Sequence, residues 1–450
     1  MALTPTLCAV RFGTGLSPDI APPSGADDIL ARLAGPDRAR EAFPQGGWSE
    51  AFERMRTFDR LRRARDTGEA AMQAFRDHNR MVQRTSLGEL GQTIARAART
   101  EDGFRERLAW FWADHFSVSE TVATLRRAAA GYHEDAIRPH VTGRFADLLK
   151  AAVLHPAMLA YLDQTRSVGP NSRRGGPGVG LNENLARELL ELHTLGVGGS
   201  YTQGDVRQLA ELLTGLGIDK DGVMRFRVNF AEPGSETVLG RDYGGGRADI
   251  ADIEAALEDL AVHPDTARHI AGKLATHFLS DDPPADLVQA VAATWLSTGG
   301  DLMPVYATLL THPAAADPTL HKVRRPLEYI AAAYRALGLG GEVSEAGIRV
   351  LRDTLYDPLQ QMGQRWQRAP GPNGWPEESE AWITPQGLAA RITWSMELAA
   401  RLPDPPDPRD FVQTALADLA SPRTLFAAQA AEDRAAGIGL ILTAPEFQRR

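Results

Sequence analysis

Apolar residues recur at helical spacing along most of the chain, and the clearest example is the segment 181–215. Four leucines three or four positions apart predict a helix over 183–195 with one face towards a core: Leu181, Leu185, Leu189 and Leu192. Gly196, Gly198 and Gly199 follow, and glycine favours the backbone conformation at which helices end. The pattern therefore predicts a helix that stops at a glycine-rich turn.

A second helix is predicted directly after this turn. Thr202 and Asp205 have the spacing of a capping box, in which each side chain satisfies a free backbone N–H of the first turn. The apolar positions that follow again have helical spacing and predict a buried face: Val206, Leu209, Ala210 and Leu213. The segment is thus expected to form a pair of packed helices.

Two polar residues interrupt the apolar face of the first helix. At about 100° per residue, His193 projects inside the apolar arc and Glu188 lies at its edge. Burying either group without a partner costs several kcal/mol, so both need partners. Two interpretations stay open: a hydrogen-bond network that fixes two helices, or a functional cleft, since perturbed titratable groups cluster at functional sites.

The segment 100–118 is predicted to be a helix with an aromatic face. Its core-facing positions hold three large rings and a histidine: Phe104, Leu108, Phe111, Trp112 and His115. Asp114 lies beside His115. A histidine in such a place is either a core residue bonded to a backbone carbonyl or part of a site. Together with Glu188 and His193, His115 is a candidate catalytic residue.

The remaining pattern predicts a mainly α fold with one small β-hairpin. Charged residues dominate 48–91, which fits one long helix or two broken ones, and helical spacing returns over 130–162, 251–338 and 408–450. Between these, Met224, Phe226, Val228 and Phe230 alternate with polar residues, as in a half-buried strand. We expect the hairpin near residues 218–243.

Two loops carry candidate binding residues. The loop 163–180 contains Arg173 and leads into the start of a helix, whose free N–H groups could hold a phosphate or carboxylate. The candidates there are Asn171, Arg173, Asn182, Glu183, Asn184 and Arg187, although Glu183 already offsets the helix dipole. The Pro/Gly-rich loop 362–385 holds Trp366, Trp375 and Trp382, which either fill a gap between helices or form a stacking surface for a ligand.

The composition narrows the functional classes. The chain has 450 residues, a net charge of −9 and a pI near 5.7, which argues against a nucleic-acid or anionic-membrane surface. The arginine-rich run in 48–91 could bind an acidic partner, but interspersed acids favour a solvated helix face. A single cysteine, Cys8, excludes a disulfide framework and a thiolate metal site.

Membrane, export and cofactor signals are weak. The sequence has no apolar run of about 18 residues, so we expect no membrane span, and no secretory signal precedes the first helices. The cytoplasm is the expected compartment, with export left open. No phosphate-binding loop, dinucleotide fingerprint or H-E-x-x-H motif occurs, and His269 and His277 are better explained by core packing. Cofactor and metal stay unknown.

Several stretches together resemble a known family. They include RFGTG (11–15), FWADHFSVS (111–119), RPHVTGRFADLL (138–149), NENLARELLELHTLGV (182–197), YTQGDV (201–206) and the terminal PEFQRR (445–450). In this order they are similar to the bacterial family named domain of unknown function 1800, over nearly the whole chain. The resemblance implies one large, mainly helical unit over 1–450. Its expected parts are a helical half (28–215), a β-hairpin segment (216–246) and a second helical half (247–450).

The resemblance implies no settled activity. It implies a possible partner from a neighbouring family with an alkaline-phosphatase-like fold, and export of many relatives, for which this chain shows no leader. Two positions depart from the pattern: Ala231 precedes Glu232, where relatives typically carry histidine, and Ala113 occupies a position where some relatives have histidine. If those histidines bind metal in relatives, this chain is expected to bind it poorly.

A more distant likeness concerns animal-type haem peroxidases. Their Asp-His pair beside the haem is similar to Asp114-His115, and an acidic residue precedes a similar HTL segment. No proximal histidine can be assigned in this sequence.

Three hypotheses for function follow. The first is an enzyme with a buried Glu/His cleft between the two motif helices, with Glu188 or His193 as general acid or base. The second is a non-catalytic scaffold or maturation partner that binds another protein through the tryptophan loop, chiefly Trp375. The third is a haem or metal oxidoreductase, with His115 near the metal.

Overall fold

The computed structural model describes residues 2–120, 125, 128–176 and 180–450. It is mainly helical, with two small antiparallel sheets, which confirms the predicted fold class. Residues 177–179 of the predicted loop 163–180 lie outside the described residues.

Helices α1 to α11 occupy the part of the chain before the sheets. Their bounds are α1 Pro5–Leu7, α2 Ala26–Ala34, α3 Arg38–Ala42, α4 Trp48–Ala64, α5 Glu69–Arg99, α6 Gly103–His115, α7 Ala129–Tyr132, α8 Phe145–Val153, α9 Pro156–Tyr161, α10 Asn184–Glu188 and α11 Gln203–Leu212. The charged segment is two helices, α4 and α5, since Gly68 interrupts the pattern. The capping box of Thr202 and Asp205 begins α11 as predicted.

Helices α12 to α24 follow the sheets. Their bounds are α12 Ile250–Ala261, α13 Pro264–Phe278, α14 Ala285–Thr298, α15 Leu302–Thr311, α16 Pro326–Ala336, α17 Gly340–Glu345, α18 Ile348–Leu351, α19 Asp357–Gln361, α20 Pro385–Ala400, α21 Pro408–Leu416, α22 Pro422–Gln429, α23 Arg434–Thr443 and α24 Pro445–Gln448. Many begin with proline in the first turn, where its fixed φ and missing N–H cost nothing.

Four π-helical segments extend or join these helices: Cys8–Phe12, His133–Ile137, Leu189–His193 and Arg352–Tyr356. The helix predicted over 183–195 is therefore α10 followed by a π segment that ends at His193. π segments are rare and frequently occur at functional sites. Here they change which faces the last residues of a helix present.

The predicted β-hairpin is two hairpins. β1 (Leu216–Ile218) pairs with β2 (Met224–Phe226), and β3 (Gly234–Val238) pairs with β4 (Arg241–Gly246). The alternating pattern ends earlier than predicted, because Val228 and Phe230 lie in a turn and not in a strand. Phe230 instead packs under the Arg227 guanidinium, 4.4 Å from ring centre to charge.

Two hydrophobic cores support the helices. The first joins α6 and the motif helices to α12–α15, and so draws on both predicted halves. The second joins the C-terminal part of α5 to α16–α24. Both cores meet at α5 and α6, and this junction positions the site described below. Among the described residues, no helix combines the length and apolar character needed to cross a membrane.

We predict that Trp295→Ala lowers the free energy of unfolding by about 3–5 kcal/mol. The Trp295 side chain is fully buried in the first core and donates to the Ala261 carbonyl at 2.9 Å. Urea unfolding followed by circular dichroism measures the change. The neighbouring Leu296 is 47% exposed, so Leu296→Ala is the control and should change stability by less than about 0.5 kcal/mol. Equal losses in the two variants would contradict the assigned core.

Candidate functional site

A deep cleft runs between α6 and the N-terminal end of α16. The cleft and the solvent at its open side together comprise about 1070 Å³ that protein atoms do not fill. Its walls come from α5, α6, the π segment His133–Ile137, α16 and the tryptophan loop. Concave sites that combine apolar walls with a few placed polar groups are where small molecules bind. This cleft is the main candidate site in the described part of the chain.

Asp114 lies on the cleft wall in the last turn of α6. One carboxylate oxygen accepts from the Trp375 backbone N–H at 2.8 Å. The other accepts from Arg325 Nη1 at 2.7 Å. Burial raises the pKa of Asp114 against the lowering effect of Arg325. A carboxylate that stays ionised but has a raised pKa is a stronger proton acceptor than an exposed one.

Gly374 allows the tryptophan loop to approach Asp114 this closely. Its φ is +76°, a conformation that other residues rarely adopt. A Cβ at this position would lie 2.5 Å from Asp114 Oδ1 and 2.6 Å from the Asp114 carbonyl oxygen. Any side chain would push the loop away, so the contact between Asp114 and the loop requires glycine.

Behind Asp114, an ion network links three parts of the chain. Arg325 also pairs with Glu377, which accepts from His277 Nδ1 at 2.8 Å. The other ring nitrogen, Nε2, lies 3.0 Å from Arg107 Nη2. Since a guanidinium only donates, Nε2 accepts and His277 is a neutral ring with its proton on Nδ1. Burial lowers the pKa of His277 to about 3, which agrees with this assignment.

The network continues to the end of the chain. Glu328 accepts from Arg450 Nε at 2.7 Å, lies 3.4 Å from Arg107 Nη2 and caps α16 at the Arg325 N–H. The neighbouring guanidiniums hold the pKa of Glu328 well below its usual range despite burial. Burial and the surrounding arginines lower the pKa of Arg107 to about 9. Arg107 and Arg450 thus share Glu328 as their carboxylate partner.

The opposite wall contains further ion pairs whose charged groups bind one another. Arg96 Nη1 donates to Glu134 Oε1 at 2.5 Å. Arg138 pairs with Glu106 and, through Nε, with Asp37 at 2.6 Å. These carboxylates have their charges neutralised within the protein.

Four groups on the cleft wall have hydrogen-bonding capacity to spare. His133 has no side-chain hydrogen bond to a described residue, and burial lowers its pKa to about 4. The Trp366 indole N–H is buried and has no acceptor among the described residues, and Arg325 Nε also lacks one. Arg365 lines the cleft with an exposed side chain and no ion pair within the described ranges.

His115 and His193 lie together, as the sequence indicated, but behind the cleft. Their ring centres are 6.1 Å apart, and His115 Nε2 is 3.2 Å from the His193 carbonyl oxygen. Lys273 Nζ lies 3.0 Å from His115 Nδ1 and is electrostatically coupled to Asp114 on the cleft side. His269 joins the cluster, 6.4 Å from His115 between ring centres. Neither His115 nor His193 lines the cleft.

Glu188 is outside this cluster. It is half-buried, and the charged or polar groups that act on it are Glu191, Arg187 and Tyr161. Burial and the nearby Glu191 raise its pKa. The arrangement in which Glu188 faces the imidazoles across a shared hollow is not present, because the π segment between Glu188 and His193 separates their directions.

Most of the predicted anion-binding residues at the helix start bind other groups of the protein. Asn171 is exposed and holds Glu232 through its backbone N–H at 2.9 Å. Asn182 accepts from the Asn184 N–H at 2.9 Å, and Arg187 pairs with Glu183 at 3.2 Å and Glu191 at 3.3 Å. Arg173 is exposed. None of these residues lines the cleft.

The tryptophans of the loop divide between the loop interior and the cleft wall. Trp382 is buried and donates to the Pro376 carbonyl at 3.0 Å, so it fills space within the loop. Trp375 is half-buried and, with Trp366 and Trp110, lines the cleft. The candidate Trp375 thus lies at the main cavity.

Metal-binding geometry is absent from the described residues, in which no three His, Cys, Asp or Glu side chains are placed to hold an ion. Both nitrogens of His115 are engaged. Ala113, one of the two departures from the family pattern, lines the cleft, whereas Ala231 is buried beside Gly215. A histidine at position 113 would therefore reach the cleft, and one at position 231 would not.

The model of a family described as protein of unknown function (DUF1800) matches residues 8–449. The chain belongs to the DUF1800 family. No curated protein and no solved structure matches it. In this DUF1800 chain, the stretches that carry the resemblance contribute Asp114 and Arg138 to the cleft.

Sequence reasoning missed Arg325, Glu377 and His133 as site residues of this DUF1800 protein. Arg325 precedes Pro326 in RRPLEY, so an arginine at a helix start was the available signal. Glu377 follows the tryptophan and proline of the loop. His133 gave no signal, because it begins a π segment.

We predict a pH-dependent stability that originates in the buried histidines. Burial lowers the pKa of His193 and His277 to about 3 and of His269 to about 4, whereas unfolded histidine titrates near pH ~6.5. Above pH ~6.5 these rings are neutral in both states and do not lower the free energy of unfolding. Between the unfolded and the folded pKa, each ring lowers the free energy of unfolding by about 1.4 kcal/mol for every unit by which the pH decreases.

His193→Leu tests this assignment. Both ring nitrogens of His193 lack partners among the described residues, so leucine should be tolerated at pH 7 and should remove about one proton from the pH slope between pH 6 and 4. Urea unfolding at several pH values measures the slope. His321→Gln alters an exposed ring and is the control. An unchanged slope in His193→Leu would contradict a buried neutral ring.

Proposed function

We propose that the protein is an enzyme that performs general acid–base chemistry on a small molecule bound in the cleft beside α6. The observation that carries the proposal is Asp114, a mostly buried carboxylate held by Arg325 and the tryptophan loop on the wall of this cleft. This proposal keeps the enzyme hypothesis made from the sequence. It places the site at Asp114 on the cleft side of α6, and not at Glu188 and His193.

The roles follow from the contacts. Asp114 accepts the proton that the reaction removes, because its raised pKa favours proton uptake over that of an exposed carboxylate. Arg325 holds Asp114 in place and offers positive charge where negative charge develops on the substrate. His133, a neutral imidazole on the same cleft, is the second proton carrier. The histidine cluster acts through Lys273 and positions it against Asp114.

We predict that Asp114→Asn lowers turnover by about 10²–10⁴-fold, the range for removal of a general acid or base. Because the substrate is unidentified, purified protein is incubated with a metabolite extract of the source organism and the mixture is followed by mass spectrometry. Wild-type protein should deplete at least one compound that Asp114→Asn leaves intact.

Asp418→Asn, which alters an exposed carboxylate remote from the cleft lining, is the matched control and should behave like the wild type. Depletion by Asp114→Asn at the wild-type rate would rule out this role. Circular dichroism checks that the variant is folded.

A second candidate function, binding of another protein, is favoured by the hairpin of α4 and α5. No residue between 52 and 81 is buried, so this part of the hairpin has an open surface. Its two helices pack through the rings of Phe58 and Phe75, whose centres are 5.4 Å apart. Residues 52–84 contain nine arginines against five acidic residues in a chain of net charge −9. The partner proposed for this surface is an acidic protein, and a member of the alkaline-phosphatase-like family implied by the resemblance is the first to test.

We expect the triple variant Arg60→Glu, Arg63→Glu and Arg76→Glu to lose co-purification of such a partner. These arginines are exposed and have no ion pair within the described ranges, so their charge is available to a partner, and salt should weaken the complex. The control replaces three exposed arginines elsewhere with glutamate: Arg247, Arg368 and Arg423. Equal capture by both triple variants would contradict docking at the hairpin.

A further inference from the structure

On the cleft wall, the acidic groups are paired, whereas some buried N–H donors are not. Its four acidic residues all have cationic partners: Glu106 with Arg138, Asp114 with Arg325, Glu134 with Arg96, and Glu328 with Arg450. The buried lining atoms without a hydrogen-bond partner among the described residues are donors: Trp366 Nε1, Arg325 Nε and Arg325 Nη2, of which Nη2 forms an ion pair with Glu377. A buried donor without an acceptor costs about 1–3 kcal/mol, so the occupant of the cleft must bring acceptor oxygens.

Charge points in the same direction. The four buried guanidiniums of Arg107, Arg324, Arg325 and Arg450 share the three carboxylates of Asp114, Glu328 and Glu377, so this network contains one more cationic than anionic group. At the mouth, Arg365 has no ion pair within the described ranges. A negatively charged group on the substrate would offset this excess positive charge, whereas a cation would be repelled.

The rest of the lining is apolar. It consists of the aromatic rings and aliphatic side chains that remain between the ion pairs: Trp110, Trp366, Trp375, Val118, Ile137, Leu327 and Leu359. Indole faces favour contact with flat or ring-shaped groups. An inorganic anion would leave this surface uncovered, so the ligand has an apolar body.

We propose that the substrate is an organic acid in which a carboxylate is attached to a ring. The carboxylate accepts from Arg325 Nε and Trp366 Nε1, and the ring packs among the tryptophans. This inference rests on the proposed function, because it names the substrate class of the same cleft.

The test is binding of phenylacetate to the full chain, measured by isothermal titration calorimetry. Phenylacetamide, which has the same shape without charge, and inorganic phosphate, which has charge without a ring, are compared under the same conditions. We expect phenylacetate to bind at least about tenfold more tightly than either, since a charge-assisted hydrogen bond exceeds a neutral one by this order.

Two variants localise the binding. Trp366→Phe keeps a ring but removes the N–H. This variant should bind phenylacetate about tenfold more weakly than the wild type does, and its affinity for phenylacetamide should change less. Arg365→Gln should weaken phenylacetate several-fold. Arg368→Gln, an exposed arginine of the same loop that does not line the cleft, is the matched control and should bind like the wild type.

Equal affinity for phenylacetate and phenylacetamide, tighter binding of phosphate, no binding of phenylacetate, or full affinity in Trp366→Phe would each overturn the inference. The outcome is separable from that of the proposed function. Depletion of a neutral metabolite that requires Asp114, without phenylacetate binding, would support the enzyme and refute this substrate class. Phenylacetate binding with no Asp114-dependent depletion would do the reverse.

Discussion

The structure depends on keeping several guanidinium groups inside the protein. Arg107, Arg325 and Arg450 are all buried, and each needs carboxylate partners because an unpaired buried charge is strongly destabilising. Glu328 and Glu377 supply them. These two residues come from α16 and the tryptophan loop, so the network ties the last residue of the chain to α6 and fixes the cleft wall between them.

The groups of this network bind mainly one another. Each carboxylate and each imidazole within it has its hydrogen bonds directed at another protein group. What remains for a ligand is the front of the network, where Asp114 and Arg325 face the cleft. Preorganised groups of this kind stabilise charge without rearrangement.

The helical fold and its motif helices could be predicted from the sequence, because apolar spacing and capping residues act locally. The capping box at Thr202 and the burial of His115 and His193 are examples. The position of the site could not be predicted. A 3.6-residue pattern does not reveal a π segment, which changed the relation between Glu188 and His193, and pairs such as Arg325 with Asp114 join residues 211 positions apart.

Asp114 and His115 are adjacent in sequence, yet one lies on the cleft and the other in the core next to Lys273. One helix, α6, therefore separates the open cleft from the buried core. Insertion or deletion of one residue in α6 would rotate the pair by roughly a quarter turn and would carry an ionised carboxylate into the interior. The length of this helix is consequently a fixed dimension of the protein.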